Sequence, residues 1–212
     1  MALLLTLLAV FALLVLNELW WRTHAVHDEL SRKFVHITVG SFVAFWPFYL
    51  GWGEIELLSV AFLVVVAASQ YMSIFKAIHS VDRTTWGEIY FAVVIGAVAF
   101  ITHDKYIYAA ALLQLSLADG LAAIVGTRFG KSNRYTVLKH TKSVVGTLTF
   151  YLVSLVILYG FTRYSGEGVQ PLLLLAIAAG ASVLENIGAR GLDNILVPVF
   201  VATLLHLLTA AV

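Results

Sequence analysis

SLADGLAAIVGTRFGKSNRYTVLKHTKSVVG, residues 116–146, carries an acid in apolar sequence, then a basic stretch, then the start of a second apolar run. Asp119 and Gly120 sit inside the first run. Five cations follow (Arg128, Lys131, Arg134, Lys139 and Lys142), and the stretch closes on Lys142 and Ser143 with Gly146 three residues on. An ionisable acid among apolar residues is costly unless a cation, a metal or water meets it. The basic loop is the nearest source of such partners. The stretch therefore predicts two membrane helices joined by a cationic loop, with room for a metal and a polyphosphate at the membrane surface.

The rest of the chain agrees on lipid as the solvent. Of 212 residues, 61% are hydrophobic and 12% charged, and the mean hydropathy is +0.93. Average soluble domains carry roughly 25% charged residues, and no soluble core of this size can bury so much apolar surface. The formal net charge of +1 hides a segregation of charges. The absence of cysteine excludes a disulfide framework and a zinc–thiolate site. With three prolines and no polar tract, the expectation is one membrane-embedded domain over residues 1–212.

Eight apolar runs can span or nearly span a bilayer: 3–21, 34–50, 55–71, 89–101, 106–127, 144–161, 171–187 and 195–212. A spanning helix needs about 20 residues, so 89–101 is short: it extends back to Trp86 or is a tilted or re-entrant piece, and it is counted as a span. The first run has no basic segment ahead of it and no small-residue cleavage pattern, so it reads as a retained helix. Loops 21–33, 72–88, 128–143 and 188–194 hold eleven of the thirteen Lys and Arg residues. By the positive-inside rule these loops are cytoplasmic and both termini face the other side. The fold class expected is all-α, a polytopic bundle of about eight transmembrane helices in a plasma or inner membrane.

Polar residues collect on the same side as the cations. Helical spacing groups Glu29, Arg32, Lys33 and His36 at the entrance to the second span. A Glu29–Lys33 pair would merely anchor the helix, whereas His36 lies about a turn inside the membrane. Glu88 opens the fourth span and could simply complement the helix dipole. If the fifth helix reaches Thr127, Asp119 lies about 12 Å below its end, at 1.5 Å per residue. Ser116, Asp119, Ala123 and Gly126 then share a smooth face, and Asp119 either serves a ligand or bonds another helix.

Lys142, Ser143, Gly146 and Thr147 open the sixth span, where free N–H groups and the helix dipole suit phosphate. Their order excludes a Walker A loop. Glu185, Asn186, Asp193 and Asn194 flank a glycine-rich turn, with oxygen donors suited to Mg²⁺; Asp193 or Asn194 could equally cap the last helix. Glu18, inside the first run, is a weaker candidate of the same type as Asp119.

Four blocks resemble the polyprenol kinase family, which includes dolichol kinase, phytol kinase and CTP-dependent diacylglycerol kinase. They are E-L-S-R-K-F-V-H with Gly40 after it, R-T-T-W-G-E-I-Y-F, A-D-G-L-A-A-I-V-G-T-R-F-G-K followed by H-T-K-S-V-V-G-T, and G-L-D-N-I-L-V-P. They run in order from Glu29 to Pro198, with the third block the most specific. That block is also faintly similar to phosphatidate cytidylyltransferases, but their H-G-G and D-R-x-D elements are absent and G-L-D-N stands in that place.

The resemblance implies phosphoryl transfer from CTP, with a divalent metal such as Mg²⁺, to the hydroxyl of a lipid alcohol. It implies that Asp119 binds the metal–nucleotide complex, and that Lys142, Ser143 and Gly146 hold phosphates. Arg32 and Lys33 would add charge, with Gly120 and Lys131 in the same nucleotide site. Glu185, Asp193 and Asn194 would complete the metal site or act on the hydroxyl, and His36 would be a base or a further phosphate ligand. Glu29 and Glu88 stand as further candidates. The partners expected are CTP, a lipid alcohol and the bilayer, with no nucleic acid and an active site facing the cytoplasm. Cytidylyl transfer onto a phosphorylated lipid is the alternative. A transporter with an acidic relay is a further one, which the near-empty outer half counts against.

Overall fold

The computed structural model describes residues 1–24, 28–72, 86–138 and 140–210, leaving aside the side chains at 21–22, 24, 28–32 and 69–72. Among the described residues eight helices account for nearly all of the fold: α1 Ala2–His24, α2 Asp28–Ala44, α3 Trp52–Met72, α4 Gly87–Ile101, α5 Lys105–Phe129, α6 Val144–Ser165, α7 Pro171–Ile187 and α8 Asp193–Ala210. Each overlaps one of the eight apolar runs. Four are long and apolar enough to cross a membrane: Ala2–Trp20, Lys105–Phe129, Val144–Ser165 and Asp193–Ala210. Gly87–Ile101 and Pro171–Ile187 are apolar but shorter.

Local chemistry sets the ends. Where the sequence suggested a second span over 34–50, α2 covers Asp28–Ala44 and gives way to a 3₁₀ turn at Trp46–Phe48. Pro47 is the reason: it has no N–H to donate and disfavours helix in the residue before it. Asp104 caps α5, its carboxylate accepting from the N–H groups of Tyr106 and Ile107 at 2.7 and 2.9 Å. Gly166 ends α6 at φ +79°, a conformation that costs glycine little.

The basic stretch between α5 and α6 is more than a loop. Arg134–Val137 and His140–Ser143 form an antiparallel β-hairpin with Tyr135 opposite Lys142 and Thr136 opposite Thr141. Its strands are four residues each, too short for their alternation to register among so many charges.

α5 is the hub. It is the most buried of the four long apolar helices and α1 the least. It packs against α2, α4, α6 and α8. Its helix widens to a π-turn over Gln114–Ala118, directly before Asp119. Such turns re-aim the residues that follow and often occur at functional sites. Around it lies the apolar core, including Tyr108, Leu112, Phe150, Leu158 and Leu205.

The crossing of α2 on α5 is unusually close. A Cβ at Gly120 would stand 2.2 Å from Ile37 Cγ1, and one at Gly40 would stand 2.5 Å from Ser116 Cβ. Only hydrogen fits at either place, which is how small residues let membrane helices approach.

Candidate functional site

That close crossing presents Lys33 of α2 to Asp119 of α5. Lys33 Nζ donates to Asp119 Oδ2 at 2.5 Å, and both side chains are buried. Asp119 thus bonds another helix, with its charge met by a cation rather than by water. A second pair forms where the hairpin meets α7: Lys142 Nζ donates to the Glu185 carboxylate and, at 3.0 Å, to the Glu185 carbonyl. Burial works to lower the Lys142 pKa, yet the carboxylates around it, Glu185 first and then Asp119 and Asp193, together outweigh it and hold the ammonium above the ordinary lysine value.

The two pairs form one electrostatic cluster. Asp119 feels the charges of Lys33, His36 and Lys142. Asp193, at the start of α8, feels those of Asp119, Lys33, Lys142 and Glu185. Four helices and the hairpin therefore bring Lys33, His36, Asp119, Lys142, Glu185 and Asp193 to one end of the bundle. Three carboxylates against two ammoniums leave one formal negative charge.

Other predicted residues hold this arrangement in place. Ser143 is buried and caps α6, its hydroxyl accepting from the Gly146 N–H at 3.1 Å. The Val144 N–H donates to the Asn133 carbonyl at 3.0 Å, so two of the first N–H groups of α6 serve the fold. Gly146 lies against Gly126 of α5, and Gly120 against Ile37, so packing accounts for both glycines. The smooth face read from the sequence is divided: Ser116, Asp119 and Gly120 meet α2, while Gly126 meets the backbone of α6.

Asn194 is buried and its amide donates to the Gly87 carbonyl at 2.8 Å, tying α8 to the start of α4. Gly191, at φ +90°, makes this possible, because a Cβ there would meet Gly87 Cα at 2.6 Å. Glu88 is half-buried at that helix start, Lys131 stands exposed in the turn after α5, and Glu18 is buried on α1. The side chains of Glu29 and Arg32 lie outside the described residues.

Sequence reading missed the bonds that fix the hairpin. The Tyr135 hydroxyl bonds both Thr147 and the Asn186 side-chain carbonyl, and Thr147 donates to that same oxygen at 3.1 Å. The Asn186 amide donates to the Ser182 carbonyl at 2.7 Å. Three polar residues at the edges of apolar runs were the available signal. Tyr135 faces Lys142 across the hairpin, so this triad sets where Lys142 stands.

No protein-family profile matches the chain, and no solved structure matches it. A phytol kinase of Synechocystis sp. (strain ATCC 27184 / PCC 6803 / Kazusa) is 33% identical over 195 residues, covering 88% of this chain and 82% of that one. The chain belongs to the polyprenol/phytol kinase family. Members are lipid kinases, and the apolar helices make this one a membrane protein.

For a polyprenol/phytol kinase the donor set suits a divalent cation. Asp119, Glu185 and Asp193 are carboxylates, the hard oxygen donors that Mg²⁺ takes. Among the described residues no three His, Asp or Glu side chains group closely enough to cage an ion. Mg²⁺ is ordinarily held by one or two carboxylates plus substrate phosphates and water, so this set fits that mode.

Proposed function

We propose that this protein transfers the γ-phosphoryl group of CTP to the hydroxyl of a lipid alcohol of the phytol or polyprenol type, at the cytoplasmic face of its membrane. The observation that carries the reading is the single cluster of Lys33–Asp119, Lys142–Glu185 and Asp193 at one end of an apolar bundle. A water-soluble triphosphate and a membrane-bound alcohol can meet only at such a boundary. Phosphoryl transfer asks little covalent help from a protein, and charge and positioning dominate.

Asp119 and Asp193 are the residues that would hold Mg²⁺, with Asn194 next to Asp193 at the start of α8. Bound there, the ion would supply positive charge to neutralise the negative charge developing on the phosphates. Lys142 and Lys33 offer ammonium groups to the non-bridging oxygens, and Glu185 keeps Lys142 charged and aimed. The acceptor oxygen forms the new P–O bond while the bond to the departing diphosphate breaks. CTP as the donor is supported by the likeness of the third block to CTP-using lipid kinases.

Purified protein in nanodiscs, given γ-labelled CTP or ATP with Mg²⁺ and a panel of phytol, polyprenols, diacylglycerol and their phosphorylated forms, tests this. Label on the alcohol with release of CDP is the expected result. Pyrophosphate release with cytidine on a lipid would move the assignment to cytidylyl transfer. Absence of transfer from either nucleotide would overturn the kinase reading.

A further inference from the structure

A cleft opens among α1, α2, α3 and α4, beside the charged cluster rather than within it. Leu14 of α1, Val35 and Val39 of α2, Phe62 and Val66 of α3 and Phe91 of α4 make its body apolar. Among the described residues, the ionisable side chains that line it are His36 and Glu88.

Two features join this cleft to the cluster. The His36 ring packs on Phe91 at 4.8 Å between centroids, Phe91 in turn meets Phe62 edge-on at 5.9 Å, and His36 feels the Asp119 charge. Gly87, which also lines the cleft, accepts the Asn194 amide and abuts Gly191 on the turn that carries Asp193. One end of the cleft is therefore polar and borders the carboxylates, while the remainder is hydrocarbon in character. That polarity matches an amphiphile with one polar group and one apolar chain.

We propose that this cleft is the acceptor site, holding the hydrocarbon chain of the lipid alcohol along Val39, Phe62 and Val66 with its hydroxyl at His36. The assignment rests on the lipid-kinase reading and adds to it the place of the acceptor and the residues that select it. The donor triphosphate lies on the other side of His36, over Lys33, Lys142 and Asp119. Chain entry is lateral, since α1 is the least buried of the long helices and exposes most of its length to lipid. Phe62 and Val66 form the wall opposite α2 and set how bulky a chain fits.

Val66→Phe and Phe62→Ala test the site, assayed in nanodiscs with alcohols of increasing chain length and branching. Val66→Phe should raise the KM for the bulkiest alcohol by about tenfold or more, the scale on which an apolar pocket rejects misfit methylenes. The CTP KM should stay unchanged in both variants. Phe62→Ala should shift preference toward bulkier chains, and thermal unfolding in the presence of CTP certifies that each variant is folded. An alcohol with a photoreactive group at its tail end should crosslink to the α3 peptide containing Phe62 and Val66 in the wild-type protein. An unaltered chain profile in both folded variants, or crosslinks confined to α6 and α7, overturns the acceptor site. If wild-type protein transfers phosphate to no alcohol, the lipid-kinase reading fails instead, and the crosslink still decides what the cleft binds.

Discussion

Lys33 and Asp119 lie 86 residues apart in sequence, and their pairing is what the sequence could not reveal. An acid in an apolar run announces that some partner exists, because an unpaired charge in lipid is too costly to keep. It does not say which of thirteen cations answers. The choice is made by the two glycines at the α2–α5 crossing, whose meaning appears only when the helices are placed together. Breaking a buried pair from one side typically costs about 3–5 kcal/mol, so activity and folding must be separated in any test. Asp119→Asn keeps the volume and an oxygen for Lys33. Its unfolding temperature should fall, because buried Lys33 loses its counter-charge, and turnover of the folded protein should fall by about a hundredfold, as when one preorganised polar contact is lost from an active site. Combining Asp119→Leu with Lys33→Met should restore an apolar, stable contact and leave no activity. Near-normal turnover in a folded Asp119→Asn protein would remove Asp119 from the site.

Lys142 supplies a second test with a defined pH sign. Its pKa is raised above the ordinary lysine value by Glu185, then Asp119 and Asp193, against the effect of burial. A raised lysine pKa means the pair's stabilisation is complete below the unfolded-state value and is lost only as pH climbs through the higher folded one. No loss of CTP affinity from this group is therefore expected between about pH 6 and 9. Lys142→Ala should raise the CTP KM and leave the alcohol KM unchanged. An unchanged CTP KM in Lys142→Ala would contradict the assignment.

Helices were legible where lipid dictates them, since an apolar run of spanning length has few alternatives. Departures from regularity were not. The π-turn at Gln114–Ala118 has no composition of its own, and the hairpin at Arg134–Ser143 consists of residues that read as a charged loop. Both nevertheless position the site, one by aiming Asp119 and the other by carrying Lys142. The α2–α5 crossing is the element whose failure would be most informative. Gly120→Ala brings a methyl against Ile37, an overpacking that typically costs about 1–3 kcal/mol. Ile37→Ala in the same chain should relieve it, so unfolding temperature and turnover measured across the four proteins should show strong coupling rather than additivity. Additive losses would mean the crossing does not set the Lys33–Asp119 geometry. In the hairpin, Tyr135→Phe removes one hydroxyl while Thr147 and Asn186 stay bonded to each other. A stability loss of about 1 kcal/mol is expected, together with a raised CTP KM as Lys142 loses its brace.

At the scale of the whole molecule, the distribution of charge supports the proposal that the cluster faces the cytosol. Eleven of thirteen cations fall in four alternate loops, and the Lys33, Lys142, Glu185 and Asp193 cluster forms from the ends of those same loops. α6 provides a ruler across the bilayer. Its 22 residues, Val144–Ser165, extend about 33 Å, against a hydrocarbon core of about 30 Å. Residues flanking it should therefore emerge on opposite sides. The chain has no cysteine, so one introduced cysteine carries all of the label. Ser132, exposed beside the hairpin, and Gly168, exposed beyond α6 with open space around it, are suited to replacement. In sealed cells, a membrane-impermeant maleimide should modify Gly168→Cys at once and Ser132→Cys only after the membrane is opened. Labelling of both from the same side would break the alternation of helices. Labelling in the reverse order would turn the cluster away from the cytosolic nucleotide, and with it remove the physical basis for a CTP-using enzyme.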